Sequence, residues 1–142
     1  MAWLDELRLD ELCAYRPNIL IVGSERSAEA KLERLGPLLM GSVHNCRLPG
    51  PLHLPDAGHA ALILRNVGAL DSDQQSALLE WLETGGRGPV VSLNSSSLYD
   101  RVLAGVFSEP LYYRLNIVFI GSARRVSCQP RSNRRASFMK GP

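Results

Sequence analysis

The sequence predicts a three-layer α/β domain built on a parallel sheet, and three observations carry that expectation. Short apolar runs rich in β-branched residues recur along the chain, each the length of a strand rather than a helix. Stretches with helical spacing of apolar residues lie between them. The runs are apolar without alternation, the pattern of strands covered on both faces. Strands that alternate with helices are joined by right-handed crossovers into a parallel sheet.

Taken in order, residues 3–13 set Trp3, Leu4, Leu7 and Leu12 at helical spacing with Asp5, Glu6, Asp10 and Glu11 between them, which predicts a short amphipathic helix. Tyr15-Arg16-Pro17 stops it. Asn18 to Val22, ending at Gly23, is the first buried strand. A helix follows from about Glu25, with Ala28, Leu32 and Leu35 along one side and Gly36-Pro37 at its end. The stretch from Met40 to His59 is rich in Gly, Pro and His, and predicts one short strand around Ser42 to Cys46 followed by a long irregular connection. Ala60 to Leu64 is a second buried strand. Asp71 then opens a helix, because its carboxylate can cap the first turn while Gln74 reaches back in a capping box. Leu78, Leu79 and Leu82 form the inner stripe and Gly85-Gly86 ends it. Pro89 to Asn94 reads as a strand, Ser97 to Val106 as a helix and Asn116 to Ile120 as the last strand. No internal repeat is visible.

A chain of 142 residues with 45% hydrophobic and 21% charged residues is a single globular domain rather than a collagen-like chain or a disulfide scaffold. Its longest apolar runs fall far below the ~20 residues of a membrane span, so no membrane is expected. The first residues carry Asp5 and Glu6 where a secretory leader carries base, so export is not expected either. Cys13, Cys46 and Cys128 are odd in number and lack CxxC spacing, which reads as reduced thiols in the cytoplasm. Charge divides the chain in two. Residues 1–120 hold 10 basic and 14 acidic side chains. Residues 121–142 hold Arg124, Arg125, Arg131, Arg134, Arg135 and Lys140 with no acid. The first part is the α/β domain, and the second reads as a basic tail expected to be disordered. If nucleic acid binds at all, those six cations are the means, with strong salt dependence, although a solvated tail is the plainer reading. His44, His53 and His59 with Cys46 match no regular zinc spacing, and no metal is expected.

Three stretches together carry one family resemblance. Pro17 to Gly23 looks like the strand leading into a nucleotide loop. Ala61 to Leu70, with Gln74 to Leu79, is similar to the Walker B strand and the helix after it. Phe107-Ser108-Glu109-Pro110-Leu111-Tyr112-Tyr113-Arg114-Leu115-Asn116-Ile117-Val118, the most specific of the three, resembles the segment F-R-x-D-L-Y-Y-R-L-N-V-x of the sigma-54 activators, the bacterial enhancer-binding AAA+ ATPases. The resemblance spans roughly residues 14–120 and implies a truncated AAA+/P-loop-like core without the helical lid or the DNA-binding helix-turn-helix.

The chemistry that the family needs is lost at the positions that hold phosphate and metal. A P-loop, G-x-x-x-x-G-K-[ST], wraps phosphates in backbone N–H groups, neutralises them with Lys and holds Mg²⁺ with a hydroxyl. Here the loop begins at Gly23 and Ser24, but its second glycine falls on Ala28, its lysine on Glu29 and its hydroxyl on Ala30. A carboxylate in the lysine position repels a triphosphate. Glu25 and Glu29 are expected in the first turn of the helix, where acids suit its positive end. The Walker B Asp-Glu pair falls on Arg65-Asn66, neither of which serves as a hard-cation ligand and base. Arg65 is placed to pair with Glu29 instead. Nothing between Gly41 and Gly58 matches the GAFTGA loop. Of the two finger arginines, the first falls on Ser108 and the second is Arg114, while Asn94 resembles the sensor asparagine. Arg114 is expected as an ion-pair partner and Asn94 as a strand-end hydrogen bonder.

The resemblance thus implies a non-catalytic AAA+-like protein-interaction module, with no catalytic residues, no cofactor and no metal. Gly23, Ser24, Glu29, Arg65, Asn66, Asn94 and Arg114 are then vestiges. The implied partner is a protein, either an intact AAA+ activator or a second copy. The alternative is a weak ATP-binding transcriptional regulator in which other groups replace the lost lysine and acids, with ATP and Mg²⁺ as ligands.

Overall fold

A computed structural model describes residues 16–39, 41–55, 61–84 and 88–121. The expected helix over 3–13, the residues Cys13, His59, Gly85, Gly86 and Cys128, and the six cations of the basic tail lie outside the described residues.

Five strands form one wholly parallel sheet in the order β2-β3-β4-β1-β5. They are β1 (Ile19–Val22), β2 (Val43–Arg47), β3 (Ala61–Arg65), β4 (Val90–Asn94) and β5 (Val118–Ile120). The helices are α1 (Glu25–Arg34), α2 (Ser72–Glu83), α3 (Leu98–Leu103) and α4 (Glu109–Leu115). Successive side chains of a strand point to opposite faces, so one strand feeds two cores. Ile19, Ile21, Ile63, Val91, Leu93 and Ile120 face α1, where they bury Ala28, Leu32, Leu35 and Leu38. Leu20, Leu62, Leu64 and Val90 face the other way onto Leu78, Leu98, Leu111 and Leu115 of α2, α3 and α4. This is the predicted three-layer α/β arrangement. In edge strand β2 only Cys46 is buried, and exposed His44, Asn45 and Arg47 leave a polar border.

Local chemistry places most elements where the sequence reading put them. Ser24 caps α1, its hydroxyl accepting from Ser27 N–H. Asp71 and Gln74 form the predicted capping box on α2. Several boundaries differ. Gly36-Pro37 ends α1 but continues as a 3-10 turn, Gly36–Leu39, which buries Leu38. Gln75 joins Leu78 as a buried residue of α2, while Leu79 and Leu82 are only half-buried. The helix expected over Ser97 to Val106 is shorter: Ser97 caps it and it stops at Leu103, followed by Gly105 at φ +79°, a left-handed turn that favours glycine. The last strand starts at Val118 rather than Asn116, because Glu109 to Leu115 winds into a helix that composition did not announce. Ser108 caps that helix and Pro110 sits in its first turn, where a missing N–H costs nothing.

Two side-chain amides join elements distant in sequence. Asn18 Oδ1 accepts from Val90 N–H, and its Nδ2 donates to the Arg114 carbonyl. Gln75 Nε2 donates to the Leu70 and Val106 carbonyls, and its Oε1 accepts from Ser108 N–H. Gln75 therefore holds the N-termini of α2 and α4 together. Between Leu20 and Leu64 in register, the buried Ser92 hydroxyl has no partner among the described residues.

Removing the three bonds of Gln75 strands polar groups in a low-dielectric interior, so Gln75→Ala is expected to cost about 1–3 kcal/mol in a denaturant titration. Ser92→Ala is expected to leave stability unchanged or slightly raised, since it deletes a hydroxyl that has already lost its water.

Candidate functional site

In open parallel sheets, ligands meet the carboxyl ends of strands where the strand order reverses. Here β1, β3 and β4 end side by side, and their last residues border a cavity of about 240 Å³ lined by Gly23, Glu25, Glu29, Arg47, Arg65, Asn66, Asn94 and Ser95. Gly23, Glu29, Arg65, Asn66 and Asn94, all singled out in the sequence, therefore meet at one place. Arg114 stands apart.

Glu29 lies in the second turn of α1, which starts at Glu25, so only Glu25 occupies the first turn. The expectation that both acids serve the helix end is thus corrected for Glu29. Its carboxylate Oε2 instead accepts from Arg65 Nη1 across the strand ends. Arg65 Nε also donates to Asn45 Oδ1 at 2.9 Å, which fixes the guanidinium plane. The Arg65 side chain is only 18% exposed, so its charge is largely taken out of water and depends on these partners. A second pair lies beside the first. Arg47 is the register neighbour of Arg65 on β2, and Glu25 stands one turn before Glu29 on α1. Arg47 Nη2 is 3.6 Å from Glu25 Oε2, with both side chains mostly exposed. Two acids at helical spacing thus face two guanidiniums in strand register. Sequence reasoning missed Arg47, because its place follows only from the β2–β3 pairing.

Asn66 borders the same cavity but bonds elsewhere. It adopts the left-handed conformation at φ +61°, which asparagine tolerates, and its Nδ2 donates to the Leu48 carbonyl. Asn94 is buried, and its Oδ1 accepts from Gly68 N–H at 2.9 Å while its Nδ2 donates to Ser96 O at 2.8 Å. Gly68 is needed there: a Cβ would come 2.8 Å from Arg101 Nε and 2.9 Å from Asn94 Oδ1. Asn94 is therefore the strand-end hydrogen bonder its position predicted.

The Phe107 segment forms a separate surface. Phe107 is buried and Ser108 caps α4. Arg114 Nη2 lies 3.9 Å from Glu83 Oε2, both about half exposed, which makes it an ion-pair partner of α2. Tyr112 packs between Tyr99 and Tyr113, with ring centroids 5.4 Å and 5.3 Å away. Burial pushes the Tyr112 hydroxyl up to about 12, against the opposing pull of its hydrogen bond from Asn116.

His44, His53 and Cys46 do not converge through their side chains. His44 is exposed on β2, and the buried Cys46 sulfur accepts from the backbone N–H of His53 at 3.5 Å. Among the described residues no three His, Cys, Asp or Glu side chains come together as metal ligands, and no helix is long and apolar enough to cross a membrane.

No family model matches the chain, and no curated protein sequence does. Solved structures do. NtrX from Brucella abortus in complex with ATP matches with a TM-score of 0.66 at 18% identity, over 80% of this chain and 33% of that one. NtrX in complex with ADP gives 0.64 at 16% over the same shares. The Thermotoga maritima RuvB Holliday junction branch migration motor gives 0.58 at 12%, over 80% of this chain and 41% of that one. The chain thus spans a third to two-fifths of the length of these proteins. At such identities the likeness is one of fold, and it agrees with the AAA+/P-loop core implied by the sequence.

Two measurements probe the site. Glu29→Gln and Arg65→Met are each expected to destabilise the fold, and their double variant by less than the sum, with a coupling of about 1 kcal/mol in a double-mutant cycle. Raising the Tyr112 pKa above its ordinary 10.0 favours the neutral phenol in the folded state. The associated stability is fully present below pH 10 and is lost as pH rises through about 12, and Tyr112→Phe is expected to remove that slope from pH-dependent unfolding curves.

Proposed function

We propose that the chain is a non-catalytic AAA+-like protein-interaction module related to the sigma-54-dependent transcription activators. The observation that carries this reading is the Glu29–Arg65 pair. In the family the same two positions hold the lysine of the phosphate loop and the first acid of Walker B. One receives the triphosphate and the other organises Mg²⁺. In this chain the two charges are exchanged in sign and engage each other. A triphosphate would meet the Glu29 and Glu25 carboxylates, and a magnesium ion would meet a guanidinium. Binding would first have to break a half-buried ion pair and leave each partner poorly solvated. The module accordingly uses neither nucleotide nor metal and performs no hydrolysis.

The surface left for work is the Phe107 to Asn116 segment, whose family counterpart lies near subunit contacts. Its helix α4 is held rigidly by Gln75 and Asn18, so the segment is presented as a fixed face rather than a loop. A protein partner in the cytoplasm follows from this reading, either an intact AAA+ activator or a second copy of the chain.

A second reading, a weak ATP-binding transcriptional regulator, is favoured by one feature. The cavity at the ends of β1, β3 and β4 persists, and NtrX binds ADP and ATP. At about 240 Å³ it falls below the ~300–1,000 Å³ of most small-molecule sites.

Calorimetric titration with ATP and Mg²⁺ separates the two. No binding is expected, whereas a dissociation constant of about 10 μM or tighter, some 7 kcal/mol of affinity, would establish the second reading. Restoring the family charges with Glu29→Lys, Arg65→Asp and Asn66→Glu is expected to create nucleotide binding that the unmodified chain lacks.

A further inference from the structure

The cavity at the ends of β1, β3 and β4 has two walls of opposite charge. Glu25 and Glu29 stand four residues apart on α1, so their carboxylates share one helix face. Arg47 and Arg65 are register partners on β2 and β3, with side chains on the same face of the sheet. All four line the cavity. The two rungs between the walls differ. The inner one is closed, because Arg65 bonds to both Glu29 and Asn45 and little of its side chain meets water. The outer one is open. Arg47 Nη2 stands 3.6 Å from Glu25 Oε2, beyond the ~2.7–2.9 Å of a close guanidinium–carboxylate bond. Both side chains are mostly exposed, so water competes for each charge and the pair is weak.

Charge decides what enters such a rung. A lone anion gains Arg47 but meets Glu25 and Glu29, and a lone cation gains Glu25 but meets Arg47 and Arg65. A small molecule carrying a carboxylate and an ammonium on one carbon satisfies both walls. Its carboxylate matches the planar guanidinium fork of Arg47, and its ammonium takes the Glu25 carboxylate. One loose pair becomes two close ones, the net charge of the cavity stays the same, and Arg65 stays on Glu29. Size agrees with charge, since about 240 Å³ lies below the ~300–1,000 Å³ of sites for larger ligands. The buried Ala28 and Leu93 belong to the same lining and offer carbon to a small apolar side chain.

We propose that the cavity binds a free α-amino acid with a small apolar side chain, its carboxylate on Arg47 and its ammonium on Glu25. The proposal rests on the reading that the cavity takes no triphosphate, and it names what the cavity takes instead. Arg65 and Glu29 act as a positioning pair that holds the two walls apart at a fixed register.

L-Alanine is the probe, titrated into the ¹⁵N-labelled full chain while the backbone amides of Gly23 and Ser95, both in the cavity lining, are followed by NMR. Those two amides are expected to shift with a dissociation constant of about 1 mM, the range open to so few atoms. N-Acetyl-L-alanine lacks the ammonium and L-alaninamide lacks the carboxylate, and each is expected to bind about tenfold more weakly or worse. These ligands test the unmodified chain, so the result does not depend on a variant folding. Glu25→Gln and Arg47→Gln change exposed side chains and are each expected to weaken alanine by about tenfold as well, while Glu109→Gln on α4 leaves it unchanged. Absence of alanine-dependent shifts at 20-fold above that concentration, about 20 mM, would overturn the proposal. So would capped ligands that shift the amides as alanine does, or alanine binding indifferent to both cavity variants. ATP with Mg²⁺ is titrated separately: shifts there would overturn the closed-cavity reading, whereas failure of alanine alone overturns only the amino-acid site.

Discussion

The ion pair between Glu29 and Arg65 is the constraint on which the rest of the site depends. It joins the second turn of α1 to the carboxyl end of β3, at the edge of the cavity where β1, β3 and β4 end. An acid occupies the first and a guanidinium the second, and each neutralises the other. Asn45 completes the hydrogen bonding of Arg65, and the exposed Arg47–Glu25 pair repeats the arrangement one strand over, in register on β2. The exposed rung contributes little to stability by itself because water screens it. The inner rung matters because Arg65 is largely desolvated.

Away from the cavity, amides rather than charges organise the polar contacts. Asn94 holds the turn after β3 through Gly68, Asn18 joins β1 to β4 and to the end of α4, and Gln75 fastens the start of α4 to α2. Each satisfies backbone groups that would otherwise be stranded where strands and short helices stop. Their combined effect is to fix the Phe107 to Asn116 segment against the sheet with Tyr112 packed inward and Tyr113 outward. A helix of seven residues has little stability of its own, so this tethering accounts for its order.

The centre of the sheet was legible in the sequence because β1, β3 and β4 are buried on both faces and so read as uninterrupted apolar runs. The α2 start was legible because a capping box is a local device, readable from Asp71 and Gln74 alone. What the sequence hid was non-local. Helix α4 was hidden because it is short and rich in tyrosine, and its order comes from Gln75 and Asn18, distant in the chain. Gln75 stands in the polar run Ser72 to Ser76, and its burial follows only from its bonds to Leu70, Val106 and Ser108. Arg47 could not be joined to the site without the β2–β3 register. Glu29 was placed a turn too early because its role is set by Arg65 across the sheet and not by the helix end.

The most direct test is a crystal structure of the chain grown with an excess of a non-hydrolysable ATP analogue and Mg²⁺. The account predicts that the cavity between Gly23, Asn66 and Asn94 holds no nucleotide and that Arg65 remains on Glu29. Phosphates seated against Gly23 and the first turn of α1, with the Arg65 guanidinium swung away from Glu29, would contradict it.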